Sequence, residues 1–130
     1  MVAEAKFVIH QMQAGKYRFI LKANNGQIIA TSLFYNSPEI CRELINTVKR
    51  LAPVAQIEDR TAVHVHTKDF PKFQIYSNNG YDFSFRLLDE HGAILAYKEG
   101  YQAKSSCFHG IYSAQKTIPN TAILDGTILA

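Results

Sequence analysis

At 130 residues with a formal net charge of +3, the chain has the length of one domain or of two small ones in tandem. With 47 % hydrophobic and 12 % aromatic residues it can bury a core, which excludes a disordered type. No apolar run approaches the ~20 residues of a membrane span, and no Lys/Arg run marks a dedicated binder of anionic polymers.

Lys6 to Gln11 reads as a strand with Phe7 and Ile9 on one face, and Met12 to Gly15 as a turn. Lys16 to Ala23 alternates clearly: Tyr17, Phe19 and Leu21 point one way, Arg18, Ile20 and Lys22 the other. Asn24-Asn25-Gly26 is a hairpin signal, because Asn and Gly accept positive φ, and Gln27 to Ser32 returns as a third strand. Ser37-Pro38 opens a helix with Ser as N-cap and Pro in the first turn. Its stripe of Cys41, Leu44, Ile45, Val48 and Leu51 has helical spacing. Pro53 stops it, and Val54 to Asp59 forms a short strand. Arg60 to Pro71 links this unit to the next, and Thr61 to Thr67 alternates enough for an extra strand or extended arm. Strands then follow at Phe73 to Ser77, Asp82 to Leu88 and Ala93 to Lys98, with Glu90-His91-Gly92 as the turn. A helix from about Ala103 to Thr117 buries Cys107, Phe108, Ile111 and Ala114, and Thr121 to Asp125 ends the series. Gly110 is expected to cost that helix about 1 kcal/mol relative to Ala.

The second series repeats the first without gaps at an offset of 66. Phe7, Ile9, Phe19, Leu21, Gly26, Ala30, Tyr35 and Cys41 fall on Phe73, Ile75, Phe85, Leu87, Gly92, Ala96, Tyr101 and Cys107. Lys6/Lys72 and Asp59/Asp125 are the charged positions held in common. Apolar, turn and capping types recur, so what repeats is a fold and not an active site. The boundaries are residues 1–60 for the first repeat, 61–71 for a linker with a possible strand, and 72–130 for the second, the two forming one compact α+β unit. One repeat alone is near the roughly 60-residue size at which a domain buries too little surface.

Phe7-x-Ile9, the run Tyr17-Arg18-Phe19-Ile20-Leu21-Lys22-Ala23 and the run Asn25 to Ser32, with Tyr35, Cys41, Ile45 and Val48, resemble the repeat of the YegP-like family, small bacterial proteins of uncharacterised function. The resemblance implies tandem pseudo-symmetric β-β-β-α-β repeats on one antiparallel sheet, covered on one face by two helices, with the C-terminal strands exchanged between repeats. It brings no catalytic residue and no cofactor. The second repeat departs from the pattern, with Ser84 and Arg86 at the places of Arg18 and Ile20, Leu88-Asp89 at Lys22-Ala23 and Gly110 at Leu44.

Candidate chemistry is sparse. His64-Val65-His66 would share a face if it lay in a strand and could grip a metal ion, but zinc ordinarily needs a third protein ligand. Cys41 and Cys107 lie on apolar helix stripes outside any CxxC pattern, which reads as core and, with no secretory signal at Met1 to Lys6, as a cytoplasmic protein with reduced thiols. Tyr35 and Tyr101 precede the helices and either bind a ligand symmetrically or pack over the sheet edge. Asp59 and Asp125 read as turn or cap residues ahead of a catalytic pair. With the phenylalanines turned to the helices, alternation puts Val8, His10, Arg18, Ile20 and Lys22, and Gln74, Tyr76, Ser84, Arg86 and Leu88, on the open face, joined by Ile29, Thr31, Leu95 and Tyr97. Such a face is idle, contacts a protein, or binds single-stranded nucleic acid weakly. The function expected is a non-catalytic interaction module using Arg18, Ile20, Lys22, Tyr76, Arg86 and Leu88, with a protein partner favoured over nucleic acid. The alternative is an enzyme or metal-dependent protein using the Tyr35/Tyr101 region or His64/His66.

Overall fold

The computed structural model describes residues 5–125, the last of these in backbone only, so the readings of the chain ends lie outside the described residues. Strands β1 (Lys6–Gln11), β2 (Tyr17–Lys22) and β3 (Ile28–Thr31) precede helix α1 (Pro38–Leu51) and strand β4 (Gln56–Asp59). Strands β5 (Lys72–Tyr76), β6 (Phe83–Leu88) and β7 (Ile94–Tyr101), helix α2 (Lys104–Thr117) and strand β8 (Ala122–Asp125) repeat that order. Gly26 and Gly92 turn their hairpins at φ 86° and 85°, the left-handed region a Cβ disfavours. Ser37 caps α1 by accepting a hydrogen bond from the Ile40 amide at 3.2 Å, and Pro38 occupies the first turn, where its missing N–H is harmless. The last strand of each repeat starts later than the sequence suggests, because Pro53 and Pro119 extend each helix into a turn of 3₁₀ helix before extended backbone resumes.

All eight strands form one sheet in the order β4-β5-β6-β7-β3-β2-β1-β8. The exchange is real: β4 of the first repeat pairs with β5 of the second, and β8 of the second with β1 of the first. The centre of the pseudo-twofold lies at Thr31 and Tyr97, equivalent residues that are each other's partners where β3 meets β7. The sheet is mixed rather than antiparallel, since both exchanged strands pair in parallel. Parallel neighbours need a crossover of a dozen or so residues, and this explains the linker. It must carry the chain from the end of β4 back to the start of β5, and it contains no strand; Thr61 to Thr67 is irregular.

Both helices cover one face. Phe7 meets Phe19 edge-on at 5.8 Å, and Phe73 meets Phe85 likewise at 5.9 Å, beneath Cys41, Ile45, Cys107 and Ile111, all fully buried. Each helix also secures the other repeat's departing strand. Lys49 donates to the Thr121 carbonyl, and its equivalent Gln115 donates to those of Ala52 and Ala55, Ala55 being the equivalent of Thr121. One expectation fails locally. Register shifts at Leu21/Lys22 and Leu87/Leu88 rephase β3 and β7, so Leu95 joins the helix-side core and Ile29 packs against it instead of joining the open face. Gly110 is no mere helix defect: a Cβ there would lie 2.3 Å from the Tyr101 hydroxyl oxygen, so glycine makes room for a ring that stacks on Phe85.

Candidate functional site

On the face away from the helices, the exchanged strand determines the chemistry of the β5/β6 half. Ile57 and Asp59 pair with Phe73 and Ile75 on the helix side, so alternation turns Glu58 to the open side opposite Gln74. Its carboxylate is fully buried and accepts from Lys72 Nζ at 2.8 Å, Gln74 Nε2 at 2.7 Å and the Lys68 amide at 2.8 Å. Burial alone would raise its pKa. The hydrogen bonds from Lys72, the Lys68 backbone and Gln74, with the charge of Lys72, outweigh that and hold it at about 2. The chain of contacts continues as Arg86 Nε donates to Gln74 Oε1 at 2.9 Å and its guanidinium covers the Tyr76 ring at 4.6 Å. The linker returns over this edge, with Phe70 4.5 Å from the Lys72 ammonium and against the turn at Gly92. Tyr76 and Arg86 then line a shallow hollow of about 200 Å³ with Leu33, Ile94, Tyr97 and Glu99.

The β1/β2 half carries different side chains on the same backbone. Leu124 stands at the place of Glu58, Val8 at Gln74 and Ile20 at Arg86. Lys6 is opposite Lys22, and His10 opposite Arg18. Burial and the charges of Lys22 and Arg18 push the His10 pKa below its ordinary value. Arg18 reaches over the Phe34 ring at 5.8 Å, and Phe34 borders an apolar depression of about 430 Å³ with Met12, Gln13 and Lys16. Leu33 and Phe34 are 42 % and 57 % exposed, an apolar rim on the cationic strands. Of the residues expected to contact a partner, Arg18, Lys22, Tyr76 and Arg86 are half-buried on this face, while Ile20 and Leu88 are sunk to 5 % and 6 % exposure and form its floor. Sequence reasoning missed Glu58, Leu33 and Phe34. The alternation of β4 carries the signal for Glu58 once its neighbour is known, whereas Leu33 and Phe34 follow the end of β3 and have no period to read.

With the geometry of the face in hand, known proteins supply the family. Residues 13–59 and 77–125 each match the model described as "Domain of unknown function (DUF1508)". The chain belongs to that family, whose function is not characterised. A UPF0339 protein of Methanosarcina acetivorans is 51 % identical over 53 residues, 41 % of this chain and 91 % of that protein, so it is about one repeat long. The UPF0339 protein YegP of Yersinia pestis is 27 % identical over 127 residues, 98 % of this chain and 100 % of its own. The solution structure of yegP from E. coli superimposes with a TM-score of 0.73 at 23 % identity, covering 96 % of this chain and 95 % of that one. That of a UPF0339 protein from Shewanella oneidensis gives 0.77 at 19 % identity, over 95 % and 92 %. Both structures attest the tandem fold.

The other candidates are dispersed. His64 and His66 are exposed in irregular backbone, so the shared strand face that would pair them does not form. They border a hollow of about 200 Å³ with Ile57, Asp59, Ala62 and Lys68, and among the described residues no three ligating side chains cluster. Asp59 accepts from the Thr61 amide and hydroxyl at 2.8 and 2.6 Å and pairs with Lys104 at 2.9 Å, which ties the exchanged strand to the start of α2. The matching carboxyl of Asp125 lies outside the described residues. Tyr35 pairs with Tyr17 and Tyr101 with Phe83, each in its own half, and burial first, then the nearby cysteine, raises both phenol pKa values. Cys41 and Cys107 are buried and in no disulfide among the described residues; burial, with Asp59 nearby, pushes Cys107 to about 11, which disfavours the thiolate that redox chemistry needs. Among the described residues no helix is long and apolar enough to cross a membrane.

Proposed function

We propose that the chain is a non-catalytic interaction module that takes up a protein partner on its open sheet face. The observation that carries this is the coincidence, on the β1/β2 half, of cations without counter-ions among the described residues and an exposed apolar rim of Leu33 and Phe34. Arg18 and Lys22 offer the polar contacts of such an interface and Phe34 its apolar anchor, while Tyr76 and Arg86 extend the surface across the pseudo-dyad. Ile20 and Leu88 support it from below. Cys41 and Cys107, buried and outside any disulfide among the described residues, favour a reducing compartment and hence the cytoplasm. Strand exchange supports treating residues 1–60 and 72–130, joined by 61–71, as one functional unit.

The test is affinity capture from host-cell lysate with three tagged forms: wild type, Arg18→Glu with Phe34→Ser, and Tyr112→Ser as a control on exposed α2 surface. A protein retained by wild type and the control but lost by the open-face variant, at equal melting temperature, supports the reading. A partner retained by all three forms would place binding elsewhere.

A further inference from the structure

The register of the β1/β2 half puts basic side chains opposite one another, two of them lysines. Lys6 lies opposite Lys22 and His10 opposite Arg18, with Val8 opposite Ile20 between them. Directly opposed side chains are about 5 Å apart at Cβ, and like charges there destabilise a sheet. Among the described residues, Lys6, Arg18 and Lys22 make no ion pair. Arg18 Nε and His10 Nε2 are shielded from solvent and have no hydrogen-bond partner among the described residues. Four residues of strand put the two cationic rungs about 13 Å apart, bracketing the apolar one. Exposed Leu33, Phe34 and Leu124 complete the surround. In the β5/β6 half the corresponding rungs are Lys72 with Leu88 and Tyr76 with Ser84, and the lysine is answered by the Glu58 carboxylate. The fold therefore shows, in one half, what neutralises a lysine on this face, and among the described residues no carboxylate does so for Lys6 or Lys22 in the other.

The geometry points to the β1/β2 half as the docking site for an acidic segment of the partner protein, with carboxylates on the Lys6–Lys22 and His10–Arg18 rungs and an apolar side chain between them over Ile20. This rests on the open-face reading above and adds the chemistry of the occupant. A carboxylate is favoured over a phosphate because Glu58 already fills the matching role in the other half. Nucleic acid would also want rings on which to stack bases, whereas the rim here is aliphatic except for Phe34, which already faces the Arg18 guanidinium. Carboxylates four residues apart on an extended segment match the separation of the rungs.

The experiment is an NMR titration of the whole protein with the end-capped peptide Glu-Ser-Leu-Ser-Glu, its Gln-for-Glu counterpart and single-stranded oligothymidine. The acidic peptide is expected to shift amides of β1 and β2, and the other two to leave them in place. Lys22→Glu and Arg18→Glu should each weaken the acidic peptide about tenfold or more, the scale of one lost charged contact. Lys22→Glu should at the same time raise the melting temperature, because it turns a repulsive rung into an attractive one, an outcome opposite to that of a merely structural lysine. Tighter binding of oligothymidine, equal binding of the Gln peptide, no shift with any probe, or undiminished binding by Lys22→Glu would each overturn the proposal. If the peptide fails while partner capture still depends on Arg18 and Phe34, the open face remains the binding surface and only the acidic occupant is wrong.

Discussion

On the β5/β6 half of the open face, Lys72 is 4 % exposed and shares a buried carboxylate with Gln74, whereas on the β1/β2 half its counterpart Lys6 is exposed and faces a second lysine. Strand pairing and register are the same in both, down to the crossing of the exchanged strands. What differs is a handful of outward positions: Glu58, Gln74 and Arg86 against Leu124, Val8 and Ile20. A duplicated fold must keep its helix-side residues to stay folded, but each copy can spend its open face differently. One copy uses it to hold the linker and the exchanged strand in place. In the other, Lys6, Arg18 and Lys22 meet no carboxylate among the described residues.

The largest effect should come from removing Glu58. Breaking a buried pair leaves Lys72 uncompensated and strips acceptors from Gln74 and the Lys68 amide, so Glu58→Ala is expected to cost about 3 kcal/mol or more in urea unfolding. Leu124→Ala, at the equivalent but 46 % exposed position, should cost well under half of that. The same carboxylate gives a pH signature. Its folded pKa of about 2 lies below the ordinary value of 4.5, so its stabilisation is complete above 4.5 and is lost as pH falls from there toward 2. Glu58→Gln should flatten stability across that window. Equal losses at Glu58 and Leu124, or an unchanged acid limb, would dissolve the contrast between the halves.

Next in size is Gly110, where the halves differ on the helix side. Leu44 fills the equivalent place in α1, but a Cβ at 110 would meet Tyr101 Oη at 2.3 Å and Cζ at 2.9 Å. Helix propensity alone would make Gly110→Ala stabilising by about 1 kcal/mol. Overpacking against a stacked ring reverses the sign, to a loss of about 1–2 kcal/mol. Thermal unfolding checks it, and Tyr101→Leu in the Gly110→Ala background should return most of the loss. A higher melting temperature for Gly110→Ala alone would show that the ring moves aside freely.

Gly110 also shows where reading the sequence stops. Periodicity and the repeat made the elements, the helix-side core and the Gly26 and Gly92 turns legible, because those depend on residues close in sequence or equivalent by symmetry. The exchange came with the family resemblance, and the structure confirms it. Its direction did not: parallel pairing follows from where the helix returns the chain, and it is the reason the linker spans residues 60–71. Glu58 was unreadable for the same cause, since its partners lie across an exchanged strand. Leu95 and Ile29 were misplaced because a bulge shifts the phase of alternation and no residue type announces it. Arg18, Lys22, Tyr76 and Arg86 were placed on the open face by simple alternation, but whether a charge there is neutralised depends on tertiary neighbours.

The smallest effect expected is also the most local probe of the contrast between the halves. His10 sits opposite Arg18 with Lys22 nearby, and burial first, then those two charges, lower its pKa. The unfolded chain takes up its proton near the ordinary value of about 6.5, before the folded chain does. His10 therefore contributes stability that is present above that pH and lost as pH falls through the folded value. Lys22→Gln should raise the His10 pKa toward the ordinary value and soften the acid loss, and Arg18→Gln should act in the same direction. Titration of the His10 ring by NMR reads both directly. Bound acidic peptide should raise it further, since a carboxylate beside the ring favours the imidazolium. Lys72→Gln, on the other half, should leave His10 where it was. A His10 pKa indifferent to Lys22 and Arg18 would mean that solvent screens these charges from their neighbours, and the basic rungs would then exert no pressure to recruit an anion.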